Sequence, residues 1–273
     1  MQAVHAVFFS PTGTTKKVVS MAAQTLKKAL SLPLKQHDFT TPAGRDQALV
    51  FGPHDLVVIG LPVYAGRLPN LLLPFLSTLE GHGARALPLV LFGNRNYDDG
   101  LLELGLILEN QGFSLLAAGA FVGEHAFSRI LGAGRPDEAD LKDVRHLALS
   151  AAERIKKDGP YPRIWDLLGE APRDLKPYYT PRDSQGNPIN ILKVKPRLDA
   201  QKCTACGRCV GLCPMGSIHP DDLAQINGIC IKCGACIKGC PTGARYYEDP
   251  GYLYHQEELE KQYARRAENS VFL

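Results

Sequence analysis

All eight cysteines of this chain of 273 residues lie between residues 203 and 240, in two copies of one pattern. The first copy is Cys203-x-x-Cys206-x-x-Cys209-x-x-x-Cys213-Pro214 and the second is Cys230-x-x-Cys233-x-x-Cys236-x-x-x-Cys240-Pro241. Cys230 follows Cys203 by 27 positions, so the segment is an internal repeat of two small units sharing a core. A [4Fe–4S] cube needs four thiolates at its corners. The two-residue gaps let one tight loop reach three corners, and the fourth ligand arrives from farther away. Small residues fill the gaps (Ala205, Gly207, Gly211, Gly234, Ala235, Gly239), which lets backbone N–H groups approach cluster sulfur. Pro214 and Pro241 stop each loop from running on. A short strand is expected before the first cysteine of each unit, and a helical turn through its third and fourth. Disulfides fit less well, because no signal-peptide pattern follows Met1 and the cysteines are confined to one short stretch of a long chain. Zinc sites favour separated pairs over triplets with a distant fourth Cys-Pro.

The module takes the last quarter of the chain, which leaves enough sequence for a second domain with its own core. No apolar run approaches the ~20 residues that span a bilayer. The longest candidate, Leu71 to Leu76, is interrupted by Pro74. A soluble, cytoplasmic protein is expected. The formal charge is +3. Two cubes with their thiolates would add about −4, so the loaded protein is mildly acidic and charge gives no case for nucleic-acid binding.

The first 157 residues alternate apolar runs with helical patterns, the signature of an α/β fold with a parallel sheet. Strands are expected at Ala3–Phe9, Leu34–Phe39, Leu56–Gly60, Leu87–Phe92 and Ser114–Phe121, with helices after Thr15, near 70–80, at 99–112 and at 137–157. Ligands on such sheets bind at the carboxyl ends of the strands. Three distinctive loops sit there. The first, Ser10-Pro11-Thr12-Gly13-Thr14-Thr15, offers hydroxyls and N–H groups at a helix start and lacks the lysine of a triphosphate loop, which suits one terminal phosphate. The second contains Pro62-Val63-Tyr64-Ala65-Gly66, and the third is Gly93-Asn94-Arg95-Asn96-Tyr97-Asp98. Each sets an aromatic among small and polar residues, suited to a flat ring with apolar faces and a polar edge.

On these residues, 1–157 resembles a flavodoxin. Ser10, Thr12, Gly13 and Thr15 match the family's phosphate-loop pattern, and the 62–66 and 93–98 stretches resemble its two ring loops. The cysteine module resembles a bacterial-type two-cluster ferredoxin. The whole chain, linker aside, is similar to the flavodoxin–ferredoxin fusions of anaerobic bacteria and archaea. The resemblance implies a flavodoxin-like doubly wound five-stranded parallel sheet of order 2-1-3-4-5, with a C-terminal α+β ferredoxin module. It implies FMN in the three loops, with Tyr97 stacked on the ring and Tyr64 flanking it. It also implies that the fourth cysteine of each run serves the other cube. One cluster then takes Cys203, Cys206, Cys209 and Cys240, and the other takes Cys230, Cys233, Cys236 and Cys213. Arg67 and Arg95 depart from the acidic surroundings common in flavodoxins.

Between the two parts, residues 158–195 carry six of the seven prolines found from 158 to 200, together with Trp165, Tyr161, Tyr178 and Tyr179. A flexible linker would lack aromatics, so an ordered strap packed on its neighbours is expected. Domains are expected at 1–157, 158–195, 196–250 and 251–273. Residues 189–198 are expected to add a strand to the cluster module, and 254–269 to form a polar helix with a solvated face. His125 fits a loop or core residue, or a contact to the ring edge. The chain is expected to carry electrons between two [4Fe–4S] clusters, FMN and outside donor and acceptor proteins. A flavin-dependent reductase of a small molecule, fed by the clusters, is the alternative.

Overall fold

The computed structural model describes residues 1–157 and 159–273. The boundary expected at 157/158 falls on Asp158, outside the described residues. Strand β1 (Ala3–Phe8) is buried at every position, as a strand flanked on both sides and covered on both faces must be. It runs into α1 (Thr14–Leu30), which turns Val18, Val19, Ala22, Ala23 and Leu26 onto the sheet. Then follow β2 (Leu34–Asp38), β3 (Asp55–Pro62), α2 (Leu73–Leu76), β4 (Arg85–Phe92), α3 (Gly100–Asn110), β5 (Ser114–Leu115), β6 (Ala118–Val122) and α4 (Glu138–Lys157). The parallel strands lie in the order β2-β1-β3-β4-β6, which is the flavodoxin-like doubly wound order. One core packs Phe39, Phe75 and Leu104 on one face, and the other packs Val19, Leu26 and Leu147 on the opposite face.

Three local expectations change. The fifth strand is broken into β5 and β6, because Leu116 and Ala117 swing into the core shared with α1 and α4. The helix near 70–80 shrinks to a 3₁₀ turn at Asn70–Leu72 and four residues of α2, whose first turn holds Pro74. A sixth strand joins the sheet from the far end of the chain: β9 (Ser270–Phe272) pairs antiparallel with β6, Ala118 facing Phe272 and Ala120 facing Ser270.

Past α4 the chain forms α5 (Ile164–Leu168), which seats Ile164 and Leu167 in the first core with Trp165 beside them. In the cysteine module β7 (Arg197–Leu198) pairs antiparallel with β8 (Arg245–Tyr246). Its helical turns are α6 (Arg208–Leu212) and α7 (Ala235–Lys238). The strand expected from 189 to 198 is reduced to β7, since Ile189–Leu192 turns to wall a cavity instead. The last helix, α8 (Pro250–Gln262), starts on the side chain of Asp249, which accepts from Tyr252 N at 2.8 Å. It is shorter and less solvated than expected, burying Tyr252, His255 and Leu259. Among the described residues no helix is long and apolar enough to cross a membrane.

Candidate functional site: a cavity walled by the sheet and the cysteine module

The carboxyl ends of β1, β3 and β4 open into a cavity of about 810 Å³. Its floor is made of Pro11, Thr12, Thr14 and Thr15 from the first loop, Pro62 to Ala65 from the second, and Phe92, Gly93 and Arg95 from the third. The loop after β6, Gly123 to Phe127, forms a fourth wall. The opposite side comes from the strap (Tyr178–Pro181 and Pro188–Leu192), from α8 (His255, Leu259), and from Ile229 to Cys233 of the cysteine module. Two of the eight cysteines, Cys230 and Cys233, thus line the same space as the threonines of the first loop.

The first loop suits an anion. Gly13 takes the N-cap position with φ of 90° and contributes no capping side chain. Ser10 Oγ accepts from Lys16 N at 2.9 Å. The N–H groups of Thr14 and Thr15 belong to a first turn and have no intrahelical acceptor. The ring loops are held in place from outside. Glu103, 3% exposed, binds Arg67 Nη2 at 2.6 Å and accepts from Leu68 N at 2.8 Å. Tyr179 N donates to Ala65 O at 2.8 Å, and Tyr178 Oη donates to Leu68 O at 2.9 Å. Arg173 and the N–H of Lys176 both bind Asp99, at 2.9 and 2.6 Å. Aromatics and charges of the strap thus tie it to the ring loops.

Not every expected residue reaches the cavity. Tyr97 does not stack over it: its ring packs on Phe92 with centroids 5.5 Å apart and joins the core. Asn94 turns its side chain to the C-terminal segment, donating to Tyr263 O at 2.7 Å and Arg265 O at 2.6 Å and accepting from Ala267 N at 3.1 Å. Asn96 Oδ1 caps Asp98 N at 2.9 Å, and Asp98 pairs with Arg95. Gly66 packs against Asp98, where an added Cβ would come within 2.6 Å of the carboxylate. Ser10, Gly13, Gly66, Asn94, Asn96, Tyr97 and Asp98 thus shape the loops from behind. Thr12, Thr14, Thr15, Pro62, Val63, Tyr64, Ala65, Gly93 and Arg95 face the space.

Sequence reasoning missed the strap and α8 as walls. Arg95 lies 4.7 Å over the Tyr179 ring, and Tyr179 stacks on His255 at 5.9 Å. Burial, reinforced by the charges of Lys238, His255 and Arg95, lowers the His125 pKa to about 3, so this imidazole is neutral at pH 7. Burial and Arg95 lower His255 to about 4. Burial, then the nearby Cys233 and Cys230 charges, raises Tyr64 well above its ordinary value and keeps the phenol protonated.

The cysteine module obeys its 27-residue repeat in detail. Ala205 and Lys232 share a positive φ (53° and 56°), as do Gly207 and Gly234 (67° and 74°). Ser217 N donates to Cys213 Sγ at 3.3 Å, and in the matching position Ala244 N donates to Cys240 Sγ at 3.2 Å. All eight cysteines are free. Cys213, Cys230, Cys233 and Cys236 line one small cavity, which gathers the fourth cysteine of the first run with three of the second. Burial pushes Cys233 up strongly and Cys236 to about 12, so these thiols need bound metal charge to become thiolates. Among the described residues no three His, Cys, Asp or Glu converge on one ion. Arg245, 2% exposed, holds Nε and Nη1 without a partner among the described residues, its Nη2 lying 3.7 Å from Cys209 Sγ and its charge also reaching Cys236. A buried cation with idle donors fits an anionic cluster carrying acceptor sulfides.

The module docks firmly on the sheet domain. Lys238 Nζ binds Glu124, His125 O at 2.6 Å and Ser128 O at 2.8 Å. Gly234 sits so close to Ala126 O that a Cβ would be 2.5 Å away.

Residues 202–249 match the family model of the 4Fe-4S dicluster domain. A search of curated proteins found no match. Among solved structures, the rubredoxin oxygen:oxidoreductase of the anaerobe Desulfovibrio gigas is similar at 15% identity and a TM-score of 0.42, over 57% of this chain and 37% of that one. This chain thus spans little more than a third of that protein. A flavodoxin from the domain Archaea is similar at 13% identity and 0.40, over 57% of this chain and 99% of that one. The flavodoxin of Streptococcus pneumoniae TIGR4 is similar at 16% identity and 0.41, over 56% and 99%. One chain joins a 4Fe-4S dicluster domain to a sheet of flavodoxin-like strand order.

Proposed function

We propose that this is an electron-transfer protein that binds FMN in the 810 Å³ cavity and two [4Fe–4S] clusters in the cysteine module, exchanging electrons with outside donor and acceptor proteins. The observation that carries the proposal is the shared wall: Cys230 and Cys233 line the cavity together with Thr12, Thr14, Tyr64 and Gly93. When bound, the flavin holds one or two electrons and each cluster one, so the chain can interconvert single and paired electrons.

The chain's own groups have separable roles. Thr12, Thr14, Thr15 and the first turn of α1 would hold the phosphate. Val63, Tyr64, Ala65 and Gly93 would bound the ring, with neutral His125 able to offer or accept a hydrogen bond at its edge. Cys213, Cys230, Cys233 and Cys236 would hold the inner cluster, and Cys203, Cys206, Cys209 and Cys240 the outer one. The strap and α8 wall the side of the cavity away from the sheet. An anaerobic titration followed by visible and EPR spectra tests the proposal. About eight irons and one FMN per chain are expected. Fully loaded protein with about four irons, or without flavin, would overturn it.

A second function, reduction of a small molecule at the flavin, is favoured by one feature: the strap and α8 cover the cavity on the side away from the sheet. Multiple turnovers with a single metabolite would support it, whereas stoichiometric flavin reoxidation supports the carrier.

A further inference from the structure

The repeat has one conspicuous mismatch. Ile218 and Arg245 occupy equivalent places, 27 positions apart and one residue beyond the N–H groups that bind Cys213 and Cys240. Ile218 is 4% exposed and Arg245 2%. The same backbone position takes a buried aliphatic side chain in the first unit. Yet the second unit buries a guanidinium here at considerable desolvation cost. One of its donors, Nη2, reaches Leu223 O and lies 3.7 Å from Cys209 Sγ. Nε and Nη1 have no partner among the described residues. Among the described residues no carboxylate pairs with Arg245.

We propose that Arg245 is the built-in counter-ion of the outer cluster, with Nε–H and Nη1–H free to donate to cluster sulfur, and that it holds this cluster at a higher reduction potential than the inner one. This rests on the two-cluster reading above. On one-electron reduction a cube with four thiolates goes from about −2 to about −3 without taking up a proton. A fixed positive charge and hydrogen bonds to sulfur favour the more negative state. The inner cluster has Ile218 at the matching place; the Arg245 charge reaches its Cys236, but the guanidinium's contact distance is to Cys209 of the outer set. Electrons arriving at the inner cluster would then settle on the outer one, beside the exposed Cys206. The difference would make outward delivery the favoured direction.

The test is Arg245→Ile, which restores the repeat, alongside Arg245→Lys, which keeps the charge and loses the fork. Potentials are read by EPR-monitored titration of protein carrying its full iron and flavin. In wild type two cluster steps are expected. In R245I the upper step should fall at least tenfold in reduction equilibrium, which is 59 mV for a one-electron couple, and the two steps should merge. R245K should fall between, and the flavin potential should stay in place. A shift below twofold in R245I overturns the proposal, as does loss from the lower step alone. If R245I fails to assemble its clusters, R245K decides by the same criterion. The iron count and EPR of wild type judge the two-cluster reading separately, so its failure would not be mistaken for failure of this proposal.

Discussion

The two halves of the cysteine module share a backbone and differ in everything that surrounds it. At the same place in the repeat, Cys233 is 7% exposed against the sheet domain while Cys206 faces solvent. A Cβ on Gly234 would strike Ala126 O, whereas one on Gly207 would meet nothing. Lys238 is anchored on the loop after β6, and its counterpart is Gly211. Ile218 is answered by Arg245. Ligand spacing is a local requirement and is met twice. Burial, docking and charge are tertiary properties, and they make one half an inner partner of the cavity and the other an outer one.

Substitutions should separate these roles. The largest contrast is expected between Cys233→Ser and Cys206→Ser. C233S should block reduction of the flavin through the clusters, whereas C206S should leave an inner cluster that still equilibrates with the flavin but exchanges poorly with outside donors. Stopped-flow absorbance would check this, and equal effects of the two variants would break the comparison. Next, Thr12→Val combined with Thr14→Val should weaken FMN binding about a hundredfold to ten-thousandfold, for loss of two hydrogen bonds of about 1.5–3 kcal/mol each to a charged group. Fluorescence titration measures it, and the clusters' visible spectrum should not change.

Acid should loosen the inner half first. His125 and His255 are held at about 3 and about 4 in the folded protein, below the usual 6.5. Between pH 6.5 and 4 the unfolded chain binds protons that the folded chain refuses. Stability is therefore full above the unfolded value and is lost as pH falls, by roughly 2–4 kcal/mol between pH 7 and 5. The groups facing these rings are Lys238, Arg95 and each other. Hydrogen exchange at pH 5 should rise in 123–128 and 250–262 before 203–212, and His125→Gln should flatten the trend. The smallest effect is expected from Lys238→Met, which removes an ion pair and two carbonyl contacts and should cost about 1–3 kcal/mol, seen as earlier release of the cysteine module in denaturant.

Much of this was legible in the residues. The apolar runs at Ala3–Phe9 and Leu87–Phe92 pointed to a parallel sheet because strands buried on both faces need no polar alternation, and β1 and β4 form over Ala3–Phe8 and Arg85–Phe92. Thr12, Tyr64 and Gly93 were legible as cavity residues because they end strands at the ligand side of such a sheet. Tyr97 misled, because an aromatic at a strand end serves the core as readily as a ring, and Phe92 offered it a partner. Asn94 misled for a related reason: its amide is claimed by residues 263–267, a contact 169 or more positions away that no local pattern announces.

The sequence by itself determined the doubled cysteine spacing and the alternation of strands and helices, because ligand spacing and hydrophobic period are properties of neighbours along the chain. Only the tertiary structure decided which run of cysteines faces the cavity, that the strap and α8 wall its far side, and that the C-terminal strand returns to β6. Those outcomes depend on which surfaces bury against one another, and two equivalent repeats can be told apart only by what each one touches.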